Sequence, residues 1–417
     1  MKLLTVDTID QARGKIRERA RSWRLETETI SLDELINSRN SSGPSGRVLA
    51  EDMYASCDIP GFRRATVDGY ALVAADTAAA GEAIPVFLRQ VGVVSMGKPA
   101  EFSIRSGECA YVPTGGMLPA GANAVVMVEY TEALDGNVAV YEPAAPGAGM
   151  AEAGEDMGKG ELFLRRGKPI RPQEAGALAA AGIVSVPVYV PPSLALISTG
   201  DELVPPEQVP DPGKIRDINS YALMALALKR GYRVTSVQVL RDDEKRLEAA
   251  LAEAMASCDV ALVSGGSSQG EKDLTAAVID RVAKPGVITH GLAIKPGKPT
   301  ILGWDDGNKT LLAGLPGHPV SAMMVFEVLF GWLLDELFNR PHPFPVPARL
   351  SCNVPGSPGK TLCQPVILHA KDGEYLAEPV FGKSGMITTL TRSDGFIIIE
   401  LNREGLKNGE PVMVHLF

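Results

Sequence analysis

The sequence predicts a multidomain α/β protein, and three observations predict it. The chain has 417 residues, enough for about two to four domains. Between 191 and 338, short apolar runs rich in β-branched residues alternate with runs whose apolar residues recur at helical spacing. That alternation predicts a mostly parallel sheet with crossover helices. At 84–142, and again after 345, the texture changes to short strands cut by Gly, Pro and Asn turns.

The α/β stretch opens at the prolines near 190. LALIS (194–198) is its first strand and STGDEL (198–203) the turn at that strand's carboxyl end. Asn219 reads as the cap of the helix SYALMALALKR, which Gly231 ends. VTSVQVL, DDEKRLEAALAEAMAS and VALVS follow as strand, helix and strand. The third strand runs into SGGSSQGEKD (264–273), and the helix DLTAAVIDRVA comes next. Gly265 and Gly266 let a bulky polyanion approach the backbone. Ser264, Ser267 and Ser268 add hydroxyls, and the helix N-terminus adds oriented N–H groups. Asp273 reads either as a helix cap or as an acid that holds a bridging Mg²⁺ beside an anion cradle. HGLAIKPGKPTILGW and KTLLAGL supply further strands, and 319–338 is a long, mainly apolar closing helix.

Upstream, residues 5–39 read as helical and 37–46 as a loop. Asp68 in DGYAL precedes a predicted strand. The all-β lobe at 84–142 contains the Gly/Pro loop of Thr114. A second Gly-rich loop carries Asp156, and a small-residue helix follows at 171–183. A proline linker at 339–347 leads to a tail of short strands.

With 41 basic and 50 acidic residues the net charge is −9, which argues against wrapping nucleic acid or docking on anionic membranes, though not against a local basic pocket. The five cysteines are scattered with no C-x-x-C pair, so they read as free thiols of a reducing cytoplasm. The five histidines are scattered too, which disfavours a His/Cys zinc site. No run approaches a membrane span and no signal pattern opens the chain. There is no G-x-x-x-x-G-K-[ST] and no G-x-G-x-x-G, which disfavours Walker-type and dinucleotide-binding readings.

In open parallel sheets ligands lie beyond the carboxyl ends of the strands. Three such ends bring Asp201, Glu202, Asp242 and Asp273 toward one rim, a carboxylate group that Mg²⁺ bridging a phosphate would reconcile. Singly, Asp201 and Asp242 also read as helix or turn caps. IKPGKP places Lys295 and Lys298 around a Pro-Gly turn, and GLPGHPVS places Ser321 at the start of the long helix. Both are candidate anion hooks.

These segments, in this order, resemble the MoeA family of molybdopterin molybdenumtransferases, related to the E domains of plant Cnx and of gephyrin. The resemblance spans nearly the whole chain and rests on DGYA, PTGG with GANAVV, GED, STGDEL, SGG…GEKD, KPGKP and GLPGHPVS. It implies a three-layer molybdopterin-binding α/β domain with a mostly parallel sheet (191–338). It further implies a split N-terminal domain (1–56 and 146–190), a β-rich lobe (57–145) and a C-terminal β-barrel-like domain (345–417). It implies insertion of molybdenum from molybdate into adenylylated molybdopterin with release of AMP, assisted by Mg²⁺. A homodimer is implied, with a molybdopterin adenylyltransferase (MogA-like) upstream and apo-molybdoenzymes or their chaperones downstream. On motif position, Asp68, Thr114, Asp156, Glu202 and Asp273 are expected to be catalytic. Thr199, Gly200, Asp201, Ser264, Gly265, Gly266, Lys295, Lys298, Pro299, Ser321 and Ser384 are expected to bind the pterin nucleotide and molybdate. Asp201, Glu202, Asp242 and Asp273 are expected to hold the metal.

The chain departs from the family pattern at Asn123, His318, Lys360 and Gln364, the last two standing where arginines are usual. A lysine holds an oxyanion as a point charge, not as a fork, which bears on molybdate affinity and on molybdate against tungstate. A non-catalytic scaffold of the same fold, and the adenylyltransferase step itself, are the alternatives. The carboxylate rim favours the enzyme over the scaffold, and the extra lobes disfavour the adenylyltransferase.

Overall fold

The computed structural model describes residues 6–37, 47–265, 271–340, 344–371 and 373–417, and for residues 37 and 271–273 it describes the backbone alone. Gly266, Ser267, Ser268 and most of the predicted 37–46 loop lie outside the described residues. Two units are formed: one comprises the chain up to Ala50, Gly167–Pro172 and Ser185–Phe417, the other Glu51–Arg166 and Gln173–Val184.

The first unit is built on a six-stranded sheet. Its spatial order is Arg233–Leu240, Ser193–Thr199, Val260–Gly265, Thr310–Leu315, Ile301–Asp305 and Pro285–His290. The first four run parallel and the last two pair antiparallel. Both faces of the sheet are covered, so its central strands are buried along nearly their whole length and mainly apolar, rather than apolar on alternate residues. In Ser193–Thr199, Leu194 and Leu196 pack with Phe326, Phe330 and Trp332 of the closing helix. Ala195 and Ile197 face the other way, onto Leu247, Leu251 and Ile279 of the helices Glu244–Ser257 and Glu271–Val282. Each large apolar side chain buried in this way contributes about 1.5–3 kcal/mol.

The closing helix carries a π segment, Phe326–Gly331, between Pro319–Val325 and Trp332–Leu337. A π turn disturbs the regular carbonyl ladder, and here the Val328 carbonyl accepts two hydrogen bonds from the Arg13 guanidinium, at 2.9 and 2.7 Å. That ties the N-terminal helix Ile9–Ala20 to the core. Thr8 and Gln11 form a capping box at its start, and Ala12, Ile16 and Ala20 make its buried stripe.

The C-terminal region closes into a five-stranded barrel. Thr361–Lys371 pairs with both Glu374–Pro379 and Gly395–Ile399, and Val346–Leu350 and Pro411–Leu416 complete the ring. Strand alternation divides its residues: Leu362, Val366, Ile397 and Ile399 fill the barrel, while Cys363 and Phe396 point outward into the α/β core. Ile294–Lys295 adds to this barrel as a short parallel strand against Thr361 and Leu362.

The second unit carries a six-stranded sheet ordered Ala124–Met127, Gly69–Leu72, Glu108–Val112, Val86–Val93, Asn137–Val140 and Thr131–Leu134. Its alternating residues fill a core on each face.

Three local expectations are corrected. The stretch 5–39 is not helical throughout, because Thr27–Ser31 is a strand paired antiparallel to Ser185–Tyr189. Its β-branched residues gain a partner more than 150 residues away, which outweighs local propensity. Asn219 does not cap its helix. Asp217 does, accepting the Ser220 N–H at 3.1 Å, and the Asn219 amide is used elsewhere. Asp273 is not a cap either, since its helix begins at Glu271 and Asp273 lies inside the first turn.

Candidate functional site

A cleft of about 820 Å³ opens in the first unit, between the carboxyl ends of Val260–Gly265 and Thr310–Leu315 and the outer face of the barrel. Its construction follows from a few short-range demands. Gly265 adopts φ +149°, and a Cβ there would lie 2.1 Å from the Thr199 carbonyl oxygen. Only glycine lets the strand end turn out beside its neighbour. Asn219, nearly fully buried, donates one amide hydrogen to Ser264 Oγ at 2.7 Å and the other to the Gly317 carbonyl at 2.8 Å. That single side chain ties the SGG turn to the GLPGHP loop. Ser198 and Ser220 exchange a hydrogen bond at 2.9 Å immediately behind it.

The IKPGKP segment is held at both ends. The Leu292 N–H donates to the Lys298 carbonyl at 2.9 Å, and Thr300 Oγ1 donates to the Gly297 carbonyl at 2.7 Å. Gly297 has φ +118°, and a Cβ there would meet Val325 Cγ2 at 2.5 Å, so the turn packs directly on the closing helix. Pairing of Ile294–Lys295 with the barrel then brings Lys295 and Lys298 to the same cleft as Lys360, Lys383, Ser321 and Ser384. Four ammonium groups therefore line the cleft. Among the described residues no aspartate or glutamate does, and none of the four lysines has a carboxylate partner. Ser384 Oγ lies 2.7 Å from His318 Nδ1.

Of the expected binding residues, Gly265, Lys295, Lys298, Pro299, Ser321 and Ser384 line this cleft. Ser264 reaches it through Asn219, and Thr199 is buried against Gly265. Asp201, Glu202 and Asp242 gather at the neighbouring strand ends. The Asp201 N–H donates to Asp242 Oδ2 at 3.1 Å, and the Glu202 carboxylate folds back over Gly200, with an oxygen 2.6 Å from where a Cβ would sit. Asp242 therefore spans two strand ends, while the cap of its own helix is Asp243, which accepts the Arg246 N–H at 2.9 Å. Among the described residues no three His, Cys, Asp or Glu side chains converge as a metal site, and the Asp273 side chain is not described.

Asp68, Thr114 and Asp156 belong to the second unit. Gly69 pairs with Val112, so the two strands end side by side and bring Asp68 to Thr114. Asp68 Oδ1 accepts the Thr114 N–H at 2.6 Å and its hydroxyl at 3.0 Å. These bonds, the backbone one first, hold the exposed Asp68 carboxyl below its ordinary range. Asp156 is exposed on a loop whose N–H donates to the Ile59 carbonyl at 3.0 Å.

Sequence reasoning missed Lys383, Asp217 and the tying role of Asn219. A basic residue beside Ser384 was the signal for the first. Gln364, at a position where arginine was expected, does not reach toward an anion. It is buried and donates to the Pro365 and Val380 carbonyls at 3.0 and 2.8 Å.

Comparison with known proteins decides the family. Residues 8–182 match the model of the MoeA N-terminal region (domains I and II), 195–335 that of a probable molybdopterin binding domain, and 347–417 that of the MoeA C-terminal region (domain IV). The chain is 31% identical to the molybdopterin molybdenumtransferase of Bacillus subtilis, over 94% of this chain and 90% of that one. It is also 31% identical to the Haemophilus influenzae molybdopterin molybdenumtransferase, over 98% of each. The chain belongs to the MoeA family. A solved molybdopterin biosynthesis MoeA protein of Pyrococcus horikoshii superposes with a TM-score of 0.81 at 31% identity, over 99% of this chain and 100% of that one. The MoeA fold expected from the motifs, including the C-terminal barrel, is the one observed. Among the described residues no helix is long and apolar enough to cross a membrane, and all five cysteines are free.

Proposed function

We propose that this MoeA-family chain inserts molybdenum from molybdate into adenylylated molybdopterin and releases AMP. One observation carries the reading: in a chain of net charge −9, a cleft lined by four lysines and, among the described residues, no carboxylate. Such a concentration of positive charge is unfavourable unless an oligoanionic ligand offsets it. Lys295, Lys298, Ser321 and Ser384 hold the tetrahedral oxyanion there, with Lys360 and Lys383 adding charge. Pre-positioned donors of this kind stabilise charge that develops during transfer without reorganising.

The Asp201–Asp242 rim of the same unit fits Mg²⁺. That ion is usually bound by one or two carboxylates together with substrate phosphate oxygens rather than by an all-protein cage. Asp201, Glu202, Asp242 and Asp273 are the residues proposed to hold it, and when bound it offsets the negative charge of the phosphoanhydride. Thr199, Gly200, Ser264, Gly265 and Gly266 receive the nucleotide side. Asp68, with Thr114, and Asp156 supply further acidic groups to the reaction. The protein is proposed to act in the cytoplasm as a homodimer, downstream of a MogA-like adenylyltransferase and upstream of apo-molybdoenzymes or their chaperones.

The test is incubation of the pure protein with adenylylated molybdopterin, Mg²⁺ and molybdate, following AMP. Release that requires both molybdate and Mg²⁺ supports the reading. Tight pterin binding without AMP release would replace it with a scaffold role.

A further inference from the structure

The contact between His318 and Ser384 adds a property to the cleft, and it rests on the reading of that cleft as an anion site. The two side chains come from segments 66 residues apart, yet Nδ1 and Oγ lie 2.7 Å from one another. That distance holds a single hydrogen between them. In one arrangement the Ser384 hydroxyl donates to the ring and turns an oxygen lone pair to the cleft. In the other the ring Nδ1–H donates to Ser384, whose hydroxyl hydrogen becomes available to a ligand. An anion meets repulsion in the first and a donor in the second, and the second is strongest when the ring carries a proton on both nitrogens. The Ser384 backbone is itself pinned, because its carbonyl accepts the Val320 N–H at 3.1 Å. The hydroxyl can therefore rotate without the loop moving.

We propose that His318 and Ser384 form a donor switch, in which an arriving tetrahedral dianion turns the Ser384 hydroxyl toward itself and draws a proton from solvent onto the His318 ring. The other titratable groups lining the cleft are Lys295, Lys298, Lys360 and Lys383 from the hook, the barrel loop and the Ser384 loop, together with Cys363. Burial pushes the Cys363 thiol up to about 12. Among the described residues no carboxylate lines the cleft to take up the proton instead. The switch makes anion affinity depend on pH even for an anion whose own charge is constant, and it places that dependence on one residue.

Sulfate and molybdate binding to the full-length protein are measured by calorimetry at pH 6 and pH 8, in buffers of differing ionisation enthalpy, which yields the protons taken up. Wild type is expected to take up part of a proton and to bind at least about fivefold more tightly at pH 6. H318N is expected to bind both anions with no such uptake and with affinities at the two pH values within about twofold. The lysines and Cys363 remain in H318N, so uptake that arose from those groups instead of His318 would be seen undiminished in the variant. S384A is expected to bind several-fold more weakly and to lose most of the uptake, because the hydroxyl that links the anion to the ring is gone. Uptake in H318N equal to wild type overturns the switch and leaves the anion site standing, and unchanged affinity in S384A overturns the hydroxyl's part in it. Absence of anion binding by wild type at both pH values overturns the site and the switch together.

Discussion

The Asp242 carboxylate accepts the backbone N–H of Asp201 at 3.1 Å, so the turn after one strand is held by the residue that follows its neighbour. The bond separates two roles for Asp242, shaping the STGDEL turn and lending charge to a cation. Asp242→Asn keeps an acceptor for the N–H but removes the charge, whereas Asp242→Ala removes both. The expected outcome is an Asn variant with native circular dichroism whose AMP release needs at least about tenfold more Mg²⁺, and an Ala variant that is worse again. An Asn variant with the wild-type Mg²⁺ requirement would confine Asp242 to the turn.

Lys298 sits on a turn fixed by Gly297 against Val325 and by its own carbonyl bond to Leu292. Losing one charge-assisted hydrogen bond costs about 1.5–3 kcal/mol, roughly tenfold to a hundredfold in affinity. Lys298→Ala is expected to raise the molybdate half-saturation of AMP release by that factor while leaving pterin-nucleotide binding nearly unchanged. Equal half-saturation in the two proteins would show that the lysine serves only solvent.

Thr114 holds the Asp68 carboxyl below its usual titration, through its N–H first and its hydroxyl second. Hydrogen bonds to the ionised form favour that form, so Asp68 stays charged to lower pH than an unpartnered carboxyl. Thr114→Val keeps the N–H and removes the hydroxyl. The Asp68 titration, followed by carboxyl NMR, is expected to move upward but to stay below the ordinary aspartate range. A depressed carboxyl stabilises the fold above its unfolded-state titration, and that contribution disappears as pH falls through the folded one. The valine variant should therefore lose it sooner on acidification.

Asn219 donates to both Ser264 and Gly317 from a buried position. Asn219→Asp replaces those donors by a carboxylate facing a carbonyl, a buried unpaired charge that costs about 3–5 kcal/mol. Asn219→Ala leaves two acceptors unmatched at about 1–3 kcal/mol. Denaturant midpoints are expected to fall in that order, aspartate lowest. Equal midpoints for the two variants would mean that the amide is not what holds the loop.

Light scattering at micromolar concentration tests the homodimer. Twice the chain mass of 44.2 kDa is expected, and a monomer mass would remove the dimer from the proposed mechanism.

Much of this was legible in the chain because it is local. The strand that ends at Gly265 and the helix that begins at Glu271, the αL glycine ending a helix at Gly231, the Gly/Pro turns of the β-rich stretches and the order of seven motifs are each read within a few residues. Periodicity of 3.6 or 2 reports which face an element buries, so the layered core and the mostly parallel sheet followed from it. What periodicity cannot report is which distant segment lies opposite. The pairing of Thr27–Ser31 with Ser185–Tyr189 turned a predicted helix into a strand, and the pairing of Ile294–Lys295 with Thr361 and Leu362 carried the KPGKP hook onto the barrel. That second pairing helps to gather Lys360, Lys383, Ser384 and His318, from three separate stretches, into one cleft with Lys298. It also leaves Gln364 bonded to backbone carbonyls beneath them. The residue types able to hold an anion were written in the sequence. Their convergence was decided by register and packing between segments tens of residues apart, because the free energy that selects one register is spread over the whole interface rather than carried by any one of its residues.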